Sequence, residues 1–167
     1  GQGIETIIPM VAKKLDRKFR FLIIGDGVMK SKLKELITNE NLRNISLIDP
    51  MSRSNLYEEY LKADILFLHL NNQKAFKRSL PSKIFEYAVI GKPIVGGLTG
   101  YSEAFIKKNV PHACTFEPGD IEGCLKSIRE AENMAVNEKD IEIFTSNFNR
   151  SKIMKSMSCK IMSHARK

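Results

Sequence analysis

A lysine, a glutamate and a serine lie close together in one short segment of this chain. Pro81 and Ser82 can open a helix, and Lys83 and Glu86 follow on one side of it, three residues apart. A cation, a carboxylate and the positive end of a helix suit a ligand with anionic and hydroxyl groups, such as a nucleotide sugar. The simpler alternative is a surface ion pair between Lys83 and Glu86.

Short apolar runs alternate with amphipathic helical segments along the chain. Five of the runs are predicted to be strands: residues 21–24, 45–48, 65–70, 93–97 and 113–116. They lack polar alternate positions, which is typical of parallel strands covered by helices on both faces. The sequence therefore predicts an α/β fold, a Rossmann-like parallel sheet with helices on both faces. Ligands of such sheets bind beyond the carboxyl ends of the strands.

Residues with cap chemistry predict where several helices begin. Thr6, Ser54 and Asp120 are the expected caps of three helices, residues 71–79 are expected to form a loop, and residues 138–167 are expected to be helical, Met-rich and basic. A helix is predicted from Pro81 to Ile90, and it is expected to bury one apolar face, made of Ile84, Phe85, Ala88 and Val89.

Composition narrows the class of protein. The 167 residues suffice for a domain with a core, and the apolar fraction of 43% argues against disorder. The net charge of +8 suits an anionic ligand or surface, but no nucleic-acid-binding motif accompanies it, so no nucleic acid partner is expected. Three cysteines without C-x-x-C spacing argue against a disulfide framework and favour a cytoplasmic location.

Several familiar motifs are missing or incomplete. Gly25-Asp26-Gly27 begins like a dinucleotide-binding loop, but Lys30 stands where the third glycine should be. Without a D-x-D motif there is no carboxylate pair for a divalent metal, so no metal site is expected. His69, at the end of a predicted strand, is expected to fill space or form hydrogen bonds more readily than to catalyse.

Several segments together resemble a known family. The segments occur in a familiar order and spacing: residues 25–27, 60–67, 80–87, 91–95 and 118–120. They are similar to the C-terminal, donor-binding half of GT-B glycosyltransferases of family four (group one). The nearest branch builds O antigen and capsule and includes fucosaminyltransferase-like enzymes. The resemblance covers roughly residues 1–130, and its most specific part runs from Leu80 to Val95.

The resemblance implies a retaining transfer of a hexosamine or deoxyhexosamine from a nucleotide diphosphate, UDP by family preference, to a cell-surface glycan. It implies no cofactor and no essential metal. In the family pattern Glu86 binds the donor ribose, while Ser82 and Lys83 face the diphosphate. No catalytic residue is assigned, but donor-binding roles fall to eight positions: Glu86, Lys83, Ser82, Arg78, Gly3, Gly25, Asp49 and Pro50.

The chain departs from the family pattern in three ways. Arg78 stands where the family often has a glutamate that contacts the donor sugar. The central strand that normally precedes the glycine-rich loop is absent ahead of Gly1, which would leave two half-sheets without a shared neighbour. Either that strand lies outside this sequence or the sheet is rearranged. The N-terminal acceptor domain is also absent, so this fragment is expected to be inactive alone. The expected organisation is a donor-binding domain at residues 1–135 followed by C-terminal helices at residues 136–167.

Two other functions stay open at this stage: a non-catalytic nucleotide-binding module and a nucleotide-sugar epimerase-like domain. For the glycosyltransferase, the expected partners are the nucleotide-sugar donor and a glycan or polyprenyl-diphosphate-linked acceptor. The basic C-terminal segment is consistent with peripheral contact at the inner face of the cell membrane.

Overall fold

The computed structural model describes residues 1–15 and 18–165, in which strands and helices alternate. The strands are β1 (Phe21–Ile24), β2 (Ile45–Ile48), β3 (Leu66–His69), β4 (Ile94–Gly97) and β5 (Ala113–Phe116). The α-helices are α1 (Ile4–Lys14), α2 (Lys30–Asn39), α3 (Arg53–Lys62), α4 (Lys83–Ala88), α5 (Tyr101–Asn109), α6 (Ile121–Glu132), α7 (Glu138–Asn147) and α8 (Arg150–Ala165). The predicted α/β architecture is confirmed.

All strand pairs are parallel, and they form two separate sheets. β1 pairs with β2, with Phe21 opposite Ile45, whereas β3, β4 and β5 form a second sheet in which His69 lies opposite Gly97. No described strand joins β1 to β3. The expectation of two half-sheets without a shared neighbour is therefore confirmed for the described residues.

A cleft of about 1260 Å³ separates the two half-sheets. Phe21–Ile24 of β1 line one wall, and residues 65–67 at the start of β3 line the other. Side chains from α1, α3, α4 and α6 complete the lining, among them Ile4, Ile8, Tyr60, Lys83, Tyr87 and Ile128. The facing edges of β1 and β3 have no strand partner among the described residues.

Side chains, rather than a backbone ladder, join the two half-sheets. One buried cluster combines α1 and α6 with residues of β2, β4 and β5: Ile7, Ile8, Val11, Ala12, Leu42, Ile45, Val95, Phe116, Cys124, Leu125, Ile128 and Ala131. A second cluster lies around β3, α4, α5 and α7: Leu66, Leu68, Leu70, Ile84, Tyr87, Ala88, Ile94, Leu98, Ile106, Val110 and Phe144.

The predicted start of α1 is wrong by several residues. Gly3, in a left-handed conformation with φ 62°, is the N-cap, and the helix begins at Ile4. Thr6 lies inside the first turn, where its hydroxyl donates to the Gly3 carbonyl at 2.7 Å. Pro9 therefore falls in the middle of the helix, where the surrounding core holds it buried.

The caps of α3 and α6 show where side-chain chemistry is decisive. Ser52, not Ser54, caps α3, because its hydroxyl accepts the N–H of Asn55 at 3.2 Å. Asp120 caps α6 as predicted, and its carboxylate accepts the N–H of Gly123 at 3.0 Å. The predicted cap was therefore wrong by two residues. Both serines have the chemistry of a cap, and residue type alone does not distinguish them.

α4 is shorter than the sequence predicts. The helix ends at Ala88, so Val89 leaves the buried face and is 42% exposed, while Tyr87 is only 6% exposed and joins the core. The preceding segment also differs from the prediction, because a 3-10 helix (Lys74–Arg78) occupies most of the expected loop.

The C-terminal segment is helical, as predicted, over α7 and α8; Arg166 and Lys167 lie outside the described residues. Phe144 of α7 is buried against Phe85, with ring centroids 6.0 Å apart. The side chains of α8 from residue 150 to 163 are all exposed. Among the described residues, no helix is long and apolar enough to cross a membrane.

Candidate functional site

Residues 1–3 lie against the carboxyl end of β3. The backbone N–H of Asn71 donates to the Gly1 carbonyl at 3.0 Å, and Nδ1 of His69 lies 2.5 Å from the Gln2 carbonyl. A side chain at Gly3 would collide with the side-chain amide of Asn71 and displace it, and the positive φ of residue 3 favours glycine. These contacts place the N-terminus of α1, which has no side-chain cap, at this sheet edge.

Lys83 and Glu86 lie at the beginning of α4, but they do not form the surface ion pair that the sequence left open. Lys83 is half-buried and lines the cleft, whereas Glu86 is exposed. Burial lowers the pKa of Lys83, and the nearby Glu86 carboxylate opposes part of that shift. Ser82 is exposed immediately before the helix. The cation and the carboxylate are therefore close together without neutralising each other by direct contact.

Two tyrosines support this part of the site from beneath. Tyr87 of α4 and Tyr60 of α3 meet edge to face, with ring centroids 5.1 Å apart. Burial raises the pKa of both hydroxyls, and the charge of Glu86 adds to the shift in each. Glu86 thus lies near two rigid aromatic rings that hold α4 in position. No pattern in the sequence indicates that these two rings meet.

A second group of residues gathers at the carboxyl ends of β1 and β2. The Gly25 N–H donates to the Ile48 carbonyl at 3.0 Å, which places Gly25 beside Asp49. Lys30 donates to Asp49 at 2.6 Å and to the Gly25 carbonyl at 3.2 Å. Their hydrogen bond raises the pKa of Lys30 and lowers that of Asp49. Pro50 follows and is exposed.

Sequence reasoning treated Lys30 only as a misfit in a glycine motif and missed its pairing with Asp49. Arg78 is exposed at the end of the 3-10 helix. Within residues 1–15 and 18–165, the Arg78 side chain makes no hydrogen bond or ion pair, and no cluster of three histidine, cysteine or carboxylate side chains could hold a metal ion. The structure thus places Gly25 beside Asp49, Lys83 close to Glu86, and Gly3 next to the carboxyl end of β3.

Comparison with known proteins identifies the family to which this chain belongs. The family described as Glycosyl transferases group 1 matches residues 2–146. The chain belongs to that family. The family resemblance stated from the sequence is therefore confirmed, while its narrower fucosaminyltransferase-like branch is not distinguished by these matches.

The individual relatives are longer proteins. The chain is 26% identical over 132 residues to WcaI of Escherichia coli (strain K12), named as a colanic acid biosynthesis glycosyl transferase, and the match covers 78% of this chain and 32% of WcaI. The chain therefore spans about a third of that curated relative.

Solved structures share the fold. A crystal structure of Anabaena HepE in complex with UDP and glucose matches with a TM-score of 0.71 and 17% identity, over 97% of this chain and 45% of that one. WaaG, a glycosyltransferase involved in lipopolysaccharide biosynthesis, matches with a TM-score of 0.57 and 19% identity, over 87% of this chain and 38% of WaaG.

Proposed function

We propose that this chain is the donor-binding part of a retaining glycosyltransferase. The reaction breaks the bond between the sugar's anomeric carbon and the nucleotide diphosphate, and it forms a bond from that carbon to an acceptor hydroxyl. The diphosphate leaves with the bonding electrons, and the acceptor hydroxyl loses its proton. Membership of the Glycosyl transferases group 1 family and the UDP in the HepE structure support a nucleotide-sugar donor.

The observation that carries the proposal is the state of Lys83 and Glu86. Lys83 is half-buried and lines a large cleft, its ammonium group has no ion-pair partner among the described residues, and a carboxylate lies one helical turn further on. An ammonium in that setting is stabilised when an anion binds beside it. Glu86 can accept hydrogen bonds from the two ribose hydroxyls, a role for which an unpaired exposed carboxylate is suited.

In this proposal the negative charge that develops on the leaving diphosphate is met by protein groups. Lys83 supplies a full positive charge, with Ser82 beside it, and the uncapped N-terminus of α1 supplies N–H groups next to Gly3. α4 has only six residues, so we assign the stabilisation to Lys83 rather than to the dipole of that helix. These groups serve without requiring a metal or cofactor.

We assign the nucleotide base to the edge near Gly25, Asp49 and Pro50. The proposed base is uracil, the base of uridine. Binding of a base there would compete for the Asp49 carboxylate, which now accepts from Lys30. A hexosamine or deoxyhexosamine is the proposed sugar, as in fucosaminyltransferase-like enzymes. Arg78 would meet phosphate or an acidic group in place of the sugar-binding glutamate.

The proposed acceptor is a cell-surface glycan, such as a polyprenyl-diphosphate-linked intermediate, reached through a separate acceptor domain. This proposal treats residues 1–135 as the donor-binding domain and expects the chain to bind donor but not to turn it over. It places the enzyme in the cytoplasm, with peripheral contact at the inner membrane face. The support for that contact is α8, which carries Arg150, Lys152 and Lys155 and no acidic residue.

Calorimetric titration of the 167-residue chain with UDP and with GDP tests the donor site. We expect UDP to bind more tightly, and Glu86→Gln to weaken that binding by about tenfold or more, because a charged acceptor of two hydroxyls is lost. Glu142→Gln on α7 makes the same chemical change at an exposed position outside the site and should leave affinity unchanged. Failure of the folded chain to bind either nucleotide would contradict the proposal, as would equal affinity of wild type and Glu86→Gln.

A further inference from the structure

His69 connects two loops that are distant in the sequence. Its ring is 1% exposed at the carboxyl end of β3. Nδ1 lies 2.5 Å from the carbonyl of Gln2, and Nε2 lies 3.2 Å from the backbone N–H of Gly119, in the loop before α6. One side chain thus holds the turn that starts α1 and the turn that starts α6.

The two partners determine which nitrogen carries the proton. A backbone N–H can only donate, so Nε2 must accept from Gly119 and carry no hydrogen. A carbonyl can only accept, so Nδ1 must be protonated and donate to Gln2. The ring is therefore the neutral Nδ1–H tautomer, and burial, which lowers the pKa of His69, favours that neutral state. The charge of Glu5 and the bond to Gln2 oppose the shift without supplying a second proton site.

The neighbouring strands are shaped for this ring. Gly97 lies opposite His69 in the β3–β4 register, and a side chain at Gly97 would collide with the imidazole and with Phe116. Phe67 is nearly parallel to the imidazole, at 8° and 6.4 Å between centroids, and the Phe116 ring lies 6.0 Å away on β5. The ring is consequently fixed in orientation before any ligand arrives.

We propose that His69 is a positioning residue of the donor site, which as the Nδ1–H tautomer locks residues 1–3 to the Gly119 loop. This inference rests on the proposed function. The lock sets where the uncapped N-terminus of α1 and the backbone of residues 1–3 lie relative to the loop ahead of α6. The ring itself acts through these backbone groups and does not contact the donor. Without the lock, each loop is free to move before binding, and part of the affinity is lost to ordering them.

Nitrogen-15 NMR of the imidazole ring tests the lock directly, in the wild-type chain without nucleotide. We expect a protonated Nδ1 and an unprotonated Nε2 throughout the range from pH 7 to pH 8. We also expect slow exchange of the Gly119 amide hydrogen, and faster exchange in His69→Leu. A proton on Nε2, or a Gly119 amide that exchanges equally fast in both proteins, would overturn the proposal.

UDP titration separates positioning from a general loss of packing. His69→Leu removes both hydrogen bonds, and we expect it to weaken UDP binding by about tenfold. Phe116→Leu is the matched control, since it removes ring packing next to His69, keeps both bonds and lies outside the cleft lining; we expect its affinity to stay within about twofold of wild type. Denaturant unfolding of both variants confirms that they are folded and measures their losses of stability.

The outcomes distinguish this inference from the proposed function. If UDP binding depends on Glu86 but falls equally in His69→Leu and Phe116→Leu, the donor site stands and the positioning role fails. The same holds if His69→Leu binds UDP as tightly as wild type does. If the wild-type chain binds no nucleotide, the proposed function fails, and the donor-site role of His69 fails with it even where NMR shows the predicted tautomer.

Discussion

At the residue scale, Lys83 is half-buried and yet makes no direct ion pair with Glu86, a combination that is uncommon on a protein surface. Surface lysines normally keep the ammonium group in water, and their ion pairs with carboxylates are weak. Lys83 is half-buried, and its pKa is lowered because the cleft wall removes water from the charge more than Glu86 compensates for it. A bound diphosphate would restore the lost stabilisation, so the ammonium and the anion should be thermodynamically coupled.

This coupling predicts that UDP affinity falls at alkaline pH. The pKa of Lys83 lies below its ordinary value of 10.5, so the free protein loses the Lys83 charge at a lower pH than an exposed lysine would. Affinity should be constant near neutral pH and decrease by about tenfold as the pH rises through that lowered pKa. Calorimetric titration with UDP at a series of pH values measures the decrease.

Lys83→Arg is the control for this prediction, because a guanidinium group keeps its charge across the whole range. Ionisation of the nucleotide itself is common to both proteins, so the difference between the two pH profiles isolates Lys83. Parallel profiles would show that the Lys83 charge does not contribute to binding. A variant whose affinity declines less than that of wild type over this range would support the assignment.

At the element scale, a buried histidine lies where α4, β5 and α7 meet, and its ring nitrogens lack hydrogen bonds to the described residues. His112 lies just before β5, is 2% exposed, and makes no hydrogen bond to the described residues at either ring nitrogen. The Asp140 carboxylate of α7 and the Ala88 carbonyl lie near enough to favour protonation, but burial outweighs them and lowers the pKa of His112. The folded protein therefore holds this ring neutral.

A neutral buried ring predicts acid sensitivity. Since the unfolded chain binds a proton at His112 near pH 6.5 and the folded chain resists it, stability is fully present above that pH and falls as the pH decreases below it. His112 should contribute a slope of up to about 1.4 kcal/mol per pH unit. Urea unfolding between pH 5 and pH 7 should show a shallower slope for His112→Leu than for wild type. Identical slopes would contradict the prediction; His69 adds its own slope to both proteins.

The elements themselves were largely predictable, because their signals are local. Three strands have the predicted bounds, since each is an apolar run stopped by Gly25, by Asp49 or by Glu117. Helix starts were less predictable, because Thr6 and Ser54 have the chemistry of a cap but Gly3 and Ser52 have the right backbone position. A cap depends on one dihedral pair and one hydrogen bond, and neither is visible in a residue's type.

The candidate site was predictable in its residue types and less so in its contacts. Lys83 and Glu86 stood out because they lie within one helical turn of each other. His69 bridges Gln2, which is 67 positions away in the sequence, and Gly119, which is 50 positions away. The tautomer of the ring depends on which nitrogen meets a carbonyl and which meets an N–H. Long-range contacts of this kind leave no periodicity in a sequence.

At the scale of the whole molecule, the two half-sheets behave as one body only if side chains join them. No described strand bridges β1 and β3, so the hydrogen-bond ladders end on either side of the cleft. The buried cluster on α1 and α6 is the connection, because it includes Ile45 of β2 and also Val95 and Phe116 of the other sheet. Cooperative unfolding of the two sheets should therefore depend on the residues of that cluster.

Ile7→Ala and Ile106→Ala form a matched pair for testing this dependence. Both isoleucines are 0% exposed, so each truncation should cost about 2 to 5 kcal/mol. Ile7 belongs to the cluster that spans both sheets, whereas Ile106 belongs to the cluster around β3.

Native-state hydrogen exchange should show that Ile7→Ala lowers amide protection in β2 and in β4 together, because it weakens the only side-chain layer in the described residues that holds them as a unit. Ile106→Ala should lower protection in β3 and β4 and leave β2 closer to its wild-type value. Loss confined to β1 and β2 in Ile7→Ala would show instead that the half-sheets open independently and that the cleft is a boundary between two cooperative units.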